Sequence, residues 1–320
     1  MSDIHVLMPV PLPRLIVEAL ELEFRLHKLW SAPDPDALVK QVAGDVRAIA
    51  TGVNILAEGV NFPVTGDFMA KFPKLEIVAN LGVGYDNIDA KWAAANKIAV
   101  TNTPDVLTEE TADTAFGLLL NAVRQFSAAE RYLRAGKWQE RAFPLTASLR
   151  GRTLGVFGMG RIGKAIARRA EGFGLNIVYH SRRKAPDVLY PYCASLLELA
   201  KACDILMVVV PGGPETRNAV NAEALEALGP DGILVNIARG TVVDEKALVA
   251  ALQKGVILTA GLDVFADEPN VPQELIAMDH VVLLPHVGSA SHVTRDAMAR
   301  LVVDNLLAWR DGKPLLTPVS

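Results

Sequence analysis

Three apolar runs in the second half of the sequence are each followed by a polar residue suited to acid–base chemistry. Arg239 follows ILVNIA, Glu268 follows AGLDVFAD, and His286 comes directly after VVLLP. Ligand-binding residues collect at the carboxyl ends of strands in doubly wound folds, so we expect these side chains to share one site. An arginine, an acid and a histidine in such positions predict a carboxylate anchor and a tuned proton donor.

Each of these residues also has a structural alternative. Arg239 can pair with Asp244 or another surface acid, and Glu268 can begin a turn before the proline that follows it. His286 can be a buried histidine whose ring nitrogens bond within the core. Their shared position downstream of a dinucleotide-binding motif favours the catalytic interpretation.

That motif is the segment GMGRIG, in which Gly158, Gly160 and Gly163 have the spacing G-x-G-x-x-G. The first glycine permits a tight turn, the second lets a pyrophosphate approach the backbone, and the third lets helix and strand pack closely. The motif follows the apolar run TLGVFG and begins a helical pattern, which is the context that a dinucleotide site requires.

The same stretch nearly matches the phosphate-binding loop of nucleotide triphosphatases. Gly158 to Ala165 fits G-x-x-x-x-G-K-A. A phosphate-binding loop instead has Ser or Thr after the lysine, and that hydroxyl binds magnesium. Ala165 has no hydroxyl, so the sequence argues against a triphosphatase.

The predicted strand NIVYHS continues into Ser181, Arg182 and Arg183, where an acidic residue is usual. An acid at this point accepts hydrogen bonds from the ribose of NAD and repels a 2′-phosphate. A serine hydroxyl and two guanidinium groups instead suit a phosphate dianion. We therefore predict that NADPH is preferred over NADH. The alternative is that both arginines are solvated surface residues.

The apolar and helical patterns around these residues predict two doubly wound α/β domains with parallel sheets. Apolar runs without alternation, such as IHVLM and DILMVVVP, suit strands covered on both faces, and they alternate with helical patterns. We predict a Rossmann-type NAD(P)-binding domain over residues 103–288. It is inserted into a flavodoxin-like substrate-binding domain of residues 1–102 and 289–320.

Composition limits the classes of partner. The 36 acidic and 32 basic residues are interspersed and give a net charge of −4, which argues against a nucleic-acid binder. The two cysteines form no C-x-x-C pair, so neither a metal site nor a disulfide framework is expected. The most apolar segment, ILMVVVP, is too short to cross a membrane, and the N-terminal stretch lacks signal-peptide features. We therefore expect a cytoplasmic protein.

Over essentially its whole length the sequence resembles the D-isomer-specific 2-hydroxyacid dehydrogenases. It is most similar to the NADPH-dependent glyoxylate/hydroxypyruvate reductases, including the plant hydroxyphenylpyruvate reductases. The resemblance rests on NLGVGYDNID, VTNTPDVLTEETAD, GMGRIGKA, NIARGTVVDEKAL, GLDVFADEP, LLPHVGS and GKPLLTPV. These motifs in this order are specific for the family and less specific for the substrate. The resemblance implies reduction of a small 2-oxoacid, such as glyoxylate or hydroxypyruvate, to a D-2-hydroxyacid by hydride transfer from NADPH.

The resemblance also implies a role for individual residues. Arg239 would bind the substrate carboxylate and keto oxygen, and His286 would protonate the carbonyl oxygen. Glu268 would hold His286 and favour its charged form. The backbone of Val83 and Gly84 would bind the carboxylate. The further cofactor contacts would be Met159, Arg161 and Ile162 at the pyrophosphate, Ser181, Arg182 and Arg183 at the 2′-phosphate, and Ile237, Ala238 and Asp263 at the nicotinamide.

Trp138 lies in the polar stretch RAGKWQERAF. Either it is a packing or dimer-contact aromatic, or it lines the substrate pocket of a partner subunit. The resemblance implies a homodimer built through the cofactor domains.

Two other functions stay open at this point. One is an NAD-linked dehydrogenase for another D-2-hydroxyacid such as lactate or glycerate, against which the serine–arginine segment argues. The other is a corepressor-like protein that senses a dinucleotide. Such a protein would bind a peptide without needing turnover, and the Arg239, Glu268 and His286 set does not exclude it.

Overall fold

The computed structural model describes residues 3–52 and 62–319. The chain forms two compact units, one of Met1–Leu107 with Ala290–Ser320, and one of Thr108–Ser289. The second unit is therefore continuous in sequence, whereas the first is built from both ends of the chain. The functional domain limits drawn from the sequence stay a prediction.

The strands and helices follow in chain order. The strands are β1 (His5–Met8), β2 (Arg25–Lys28), β3 (Val46–Gly52), β4 (Ile77–Leu81), β5 (Ala99–Thr101), β6 (Thr153–Phe157), β7 (Asn176–His180), β8 (Ile205–Val208), β9 (Ile233–Asn236), β10 (Thr259–Leu262) and β11 (Val282–Leu283). The helices are α1 (Arg14–Glu23), α2 (Pro35–Val42), α3 (Gly66–Met69), α4 (Ala90–Ala95), α5 (Thr108–Arg124), α6 (Phe126–Arg134), α7 (Arg161–Gly172), α8 (Leu196–Lys201), α9 (Ala222–Leu228), α10 (Glu245–Gln253), α11 (Gln273–Ile276) and α12 (His292–Arg310).

The first unit contains a parallel sheet in the order β2-β1-β3-β4-β5, which is the flavodoxin-like order. Strands β1, β3 and β4 are almost entirely buried, as expected for strands covered on both faces. The edge strand β2 has the polar sequence RLHK and is only partly buried, so no apolar run in the sequence indicates it. Helix α12 is capped by Ser291 and packs against β4 and α1.

The second unit contains a parallel sheet in the order β11-β10-β9-β8-β6-β7. A parallel bridge joins Tyr179 of β7 to Tyr192, so a rudimentary strand lies beyond β7. If the segment at Tyr192 is counted as the third strand of this unit, after β6 and β7, the order matches the Rossmann arrangement. In that arrangement the first strand, here β6, is central. The predicted pair of doubly wound parallel sheets, one of them Rossmann-type, is thereby confirmed.

Helix α5 packs against β9 and β10, as its amphipathic pattern predicts. It ends at Arg124 because Gln125 has a left-handed backbone with φ of +54°. Helix α6 follows at once and has no buried residue. The polar segment YLRAGKWQERAFPLTASLRGR, called the arm from here on, begins within this short exposed helix.

Candidate active site

The turn between β6 and α7 has the shape that a dinucleotide pyrophosphate requires. Gly158 has φ of +111°, and a Cβ on it would lie 2.8 Å from the backbone carbonyl carbon of Val209. A Cβ on Gly163 would lie 2.1 Å from the carbonyl oxygen of Gly158. A Cβ on Gly160 would meet nothing within 4 Å, and Gly160 precedes α7 without capping it by a side chain. The space beside Gly160 is therefore open, and the first N–H groups of α7, which have no acceptor within the helix, can bind phosphate oxygens.

The residues between these glycines differ in what they can offer a ligand. Met159 is buried in the core and Ile162 packs against that core, so their contribution would come from the main chain. Arg161 is exposed and has a charged side chain at the first position of α7. The residues present fit a dinucleotide at this turn.

The segment after β7 is shaped by two hydroxyl groups. Ser181 Oγ donates to the carbonyl oxygen of Arg183 (2.7 Å), and Tyr192 Oη donates to the carbonyl oxygen of Ser181 (3.2 Å). Arg182 and Arg183 are exposed, and a guanidinium nitrogen of Arg182 lies 3.8 Å from a carboxylate oxygen of Glu215. The two arginines thus extend from a turn whose backbone is fixed by hydrogen bonds.

Arg239 is positioned by a buried asparagine at the end of β9. Asn236 is 1% exposed; its Oδ1 accepts from the N–H of Ala238 (3.0 Å) and its Nδ2 donates to the carbonyl oxygen of Arg239 (3.1 Å). Ile237 and Ala238 are buried, whereas Arg239 is only half-buried. The Asn236 amide therefore defines the turn on which the guanidinium group is carried.

Glu268 and His286 form a hydrogen-bonded pair. His286 Nδ1 lies 2.7 Å from Glu268 Oε2, and Glu268 Oε1 accepts from the N–H of Phe265 (3.0 Å). Burial acts to raise the pKa of the Glu268 carboxyl. The His286 hydrogen bond and charge, the Phe265 N–H and the charge of Arg239 outweigh burial and leave that pKa below its ordinary value. Because Nδ1 is engaged, Nε2 is the ring nitrogen that can exchange a proton with a ligand.

The backbone around His286 is held by Asp263. His286 has φ of +54°, a left-handed conformation that is uncommon outside glycine. The Asp263 carboxylate accepts hydrogen bonds from the N–H groups of Val287 (2.7 Å) and Gly288 (2.8 Å). Burial raises the pKa of the Asp263 carboxyl despite these two bonds. Asp263, expected from the resemblance at the nicotinamide, therefore also fixes the turn that presents His286.

All three expected catalytic residues lie in the second unit, whereas two of the expected substrate-binding residues lie in the first. Arg239 lies close enough to Glu268 for its charge to affect the Glu268 carboxyl, which in turn contacts His286. Val83 and Gly84 lie in the first unit, in the loop that follows β4. Trp138 lies in a short 3₁₀ turn after α6 and is 66% exposed.

Asn236 and Tyr192 shape this region although the sequence patterns did not indicate them. One sequence feature could have indicated Asn236: it is a single amide at the last position of an otherwise apolar strand. That signal does not reveal which backbone groups the amide contacts. Within residues 3–52 and 62–319, no cluster of three or more His, Cys, Asp or Glu side chains could hold a metal ion. Over the same ranges, no helix is long and apolar enough to span a membrane.

A Rossmann-type sheet with a glycine turn, and with Arg, Glu and His on neighbouring strand ends, defines a nicotinamide-dependent oxidoreductase. Comparison with known proteins narrows this class. Residues 116–288 match the family model of the D-isomer-specific 2-hydroxyacid dehydrogenase NAD-binding domain.

Curated relatives match the whole chain. A glyoxylate/hydroxypyruvate reductase A of Arabidopsis thaliana is 44% identical over 319 residues, covering 100% of both chains. A hydroxyphenylpyruvate reductase of Plectranthus scutellarioides is also 44% identical over 319 residues with the same coverage. The chain belongs to the D-isomer-specific 2-hydroxyacid dehydrogenase family.

A solved structure is similar to this chain in both sequence and fold. The NADPH-dependent glyoxylate/hydroxypyruvate reductase of Sinorhizobium meliloti, in complex with NADP and malonate, is 49% identical with a TM-score of 0.91. The match covers 100% of this chain and 97% of that one.

Proposed function

We propose that this protein reduces small 2-oxoacids, with glyoxylate and hydroxypyruvate as its substrates, to D-2-hydroxyacids at the expense of NADPH. The observation that carries the proposal is the 2.7 Å hydrogen bond between Glu268 and His286, in the same set of strand ends as Arg239. That arrangement provides a positioned proton donor next to a cation that binds carboxylates. The names of the similar reductases support the same substrate class.

The cofactor site in this proposal combines the glycine turn with the segment after β7. Gly158, Gly160 and Gly163, with Met159, Arg161 and Ile162, hold the pyrophosphate at the start of α7. Ser181, Arg182 and Arg183 bind the 2′-phosphate, and Ile237, Ala238 and Asp263 line the nicotinamide. Bound NADPH supplies the hydride for the carbonyl carbon of the 2-oxoacid.

The protein's own residues then provide binding and proton transfer. Arg239 and the N–H groups of Val83 and Gly84 bind the substrate carboxylate, and Arg239 also contacts the keto oxygen. His286 Nε2 delivers a proton to the keto oxygen as negative charge develops there. Glu268 holds Nδ1 and stabilises the positive charge of the imidazolium. Arg239 and the imidazolium together stabilise the developing oxyanion.

The preference for NADPH over NADH is supported by the absence of an acid at the end of β7. That strand ends at His180, and the three residues that follow are a serine and two arginines. Two exposed guanidinium groups on an ordered turn suit a phosphate dianion. The NADP-bound state of the Sinorhizobium meliloti reductase supports this assignment.

We further propose that the protein is a cytoplasmic homodimer, with Trp138 on the surface that meets the partner subunit. Exposed large apolar side chains on α6 and the arm, at Phe126, Leu133, Trp138 and Leu145, support this surface. Sedimentation of the purified protein tests the dimer directly. A monomer at micromolar concentration contradicts it.

Initial rates test the activity. The purified protein is assayed with NADPH and with NADH against glyoxylate, hydroxypyruvate, pyruvate and 4-hydroxyphenylpyruvate. We expect NADPH to be strongly preferred and glyoxylate or hydroxypyruvate to be turned over fastest. His286→Ala and Arg239→Ala should each lower kcat/KM by orders of magnitude while NADPH binding is retained.

Other outcomes would redirect the assignment. A preference for NADH would mean that the two arginines are solvated surface residues and would favour an NAD-linked dehydrogenase. Near-wild-type turnover by the His286 or Arg239 variant would contradict the catalytic roles. Dinucleotide binding without turnover of any 2-oxoacid would favour a binding protein.

A further inference from the structure

The loop after β4 is held through three successive carbonyl groups. Asn80 Nδ2 donates to the carbonyl oxygens of Gly82 (3.3 Å) and Gly84 (2.9 Å). Asn102 Nδ2 donates to the carbonyl oxygen of Val83, which lies between them (2.9 Å). Asn80 is buried and Asn102 is half-buried, so two amides orient the three peptide groups that contain these carbonyls.

The N–H groups of the same loop differ in whether they donate a hydrogen bond. Gly82 has φ of +145°, its N–H donates to Thr103 Oγ1 (3.0 Å), and its carbonyl oxygen accepts from the Thr103 N–H (3.0 Å). The N–H groups of Val83 and Gly84 donate to no acceptor among the described residues. Two successive N–H groups on a fixed loop form a site for an anion.

The Asn102 end of this network is fixed by the C-terminal tail. Thr317 Oγ1 donates to the carbonyl oxygen of Asn102 (2.7 Å), and the Asn102 N–H donates to the Thr317 carbonyl oxygen (3.3 Å). Thr317 Oγ1 also accepts from Asn305 Nδ2 (2.9 Å), and Asn305 is fully buried within α12. A continuous chain of hydrogen bonds thus runs from α12 through the Thr317 hydroxyl to Asn102 and Val83.

We propose that Thr317 is a positioning residue for the substrate carboxylate. Its hydroxyl fixes Asn102, whose side-chain amide fixes the Val83 carbonyl and hence the peptide group that contains the Gly84 N–H. The inference rests on the proposed function, which assigns the Val83 and Gly84 N–H groups to the carboxylate. The inference predicts that Thr317, in the C-terminal tail, affects the affinity for the 2-oxoacid but not the affinity for the cofactor. The reason is that the proposed cofactor-binding residues lie on other elements, in the second unit.

The physical reason is the cost of unpaired groups. A valine at position 317 keeps the shape of threonine but removes the hydroxyl. The carbonyl oxygen of Asn102 and the Nδ2 of Asn305 then each lose a partner in a partly buried network. Asn102 thereby loses one of the contacts that hold it, and the Val83 carbonyl group bound to its amide loses that support. A serine at the same position retains the hydroxyl and serves as the matched control.

The experiment compares Thr317→Val with Thr317→Ser and the wild type in the full chain. Three quantities are measured: the KM for glyoxylate, the KM for NADPH, and the Kd of oxamate, a 2-oxoacid analogue, in the presence of NADPH. We expect Thr317→Val to raise the glyoxylate KM and the oxamate Kd about fivefold, the effect of one hydrogen bond. The NADPH KM should stay at the wild-type value, and Thr317→Ser should resemble the wild type.

Two results would overturn the inference. One is equal oxamate affinity in the valine and serine variants. The other is a parallel rise of the NADPH KM, which would show a general loss of structure. Asn102→Ala, which removes the amide that contacts Val83, provides a second test and should give the same selective loss. A wild-type protein that turns over no 2-oxoacid would instead refute the proposed function, and that outcome is distinct from both.

Discussion

Gly240 and Phe265 are in such close contact that a Cβ on Gly240 would lie 1.8 Å from the carbonyl carbon of Phe265. Gly240 directly follows Arg239, and the Phe265 N–H donates to the Glu268 carboxylate (3.0 Å). The contact therefore joins the turn that carries the cation to the turn that carries the acid. Their spacing is fixed by backbone packing as well as by side-chain contacts.

Replacing Gly240 with alanine should separate these turns. The new methyl group overlaps backbone atoms that cannot rotate away, so we expect the unfolding free energy to fall by about 3 kcal/mol or more. We also expect kcat/KM to fall sharply at temperatures where the variant is folded. Thermal unfolding and steady-state kinetics measure the two effects. Gly172→Ala is the control, because a Cβ there meets nothing within 4 Å, and its Tm should be unchanged or slightly raised.

Replacing Asp263 with asparagine should misplace His286. The Asp263 carboxylate accepts from two N–H groups, and an amide has only one oxygen for them. We expect kcat to fall about 100-fold, the effect of a small displacement of a catalytic group. The control is Asp244→Asn, since Asp244 caps α10 by accepting one N–H and asparagine caps helices equally well. Equal activity in the two variants would contradict this role of Asp263.

The Glu268–His286 pair should make stability depend on acid pH. The pKa of Glu268 is below its ordinary value of 4.5 in the folded protein. A carboxyl of this kind contributes stability that is present above its unfolded pKa and is lost as pH falls through the folded pKa. We therefore expect the Tm advantage of the wild type over Glu268→Gln to be largest near neutral pH.

That advantage should shrink as pH falls below 4.5, the ordinary value of the Glu268 carboxyl. Asp263, whose pKa is raised, acts with the opposite sign in the same range. It is present in both proteins, so to first order it cancels in the difference. Tm values measured from about pH 7 to about pH 3 test the prediction. A difference that grows on acidification would reverse the assigned sign.

Removing the two arginines after β7 should change cofactor selectivity. Arg182→Ala/Arg183→Ala removes two charged donors proposed for the 2′-phosphate, and we expect the NADPH KM to rise about 10- to 100-fold. The NADH KM should change little, because NADH has no 2′-phosphate. Lys254→Ala, which removes an exposed cation at the end of α10, is the control for net charge. Equal increases for both cofactors would indicate a role other than phosphate recognition.

The sequence predicted the parts of this fold that depend on local pattern. Gly158, Gly160 and Gly163 were predicted as a turn from their spacing, and apolar runs predicted the buried strands. Edge strand β2 was missed because half-exposed polar residues leave no apolar run. Asn80 and Asn236 were missed for a different reason: a side chain's backbone partners depend on tertiary structure, and spacing does not reveal them. The double hydrogen bond of Asp263 was likewise visible only after folding.

The two-part construction of the first unit also sets an order of events during synthesis. Thr108–Ser289 is continuous and is translated in full before Ala290, when the sheet of the first unit still lacks α12 and the tail that contains Thr317. At typical elongation rates the 31 residues Ala290–Ser320 take roughly 2–6 s to add. The apolar face of β4 is therefore left uncovered until late in translation. A nascent chain released before α12 is complete carries that face exposed, which makes it a substrate for chaperones and proteases.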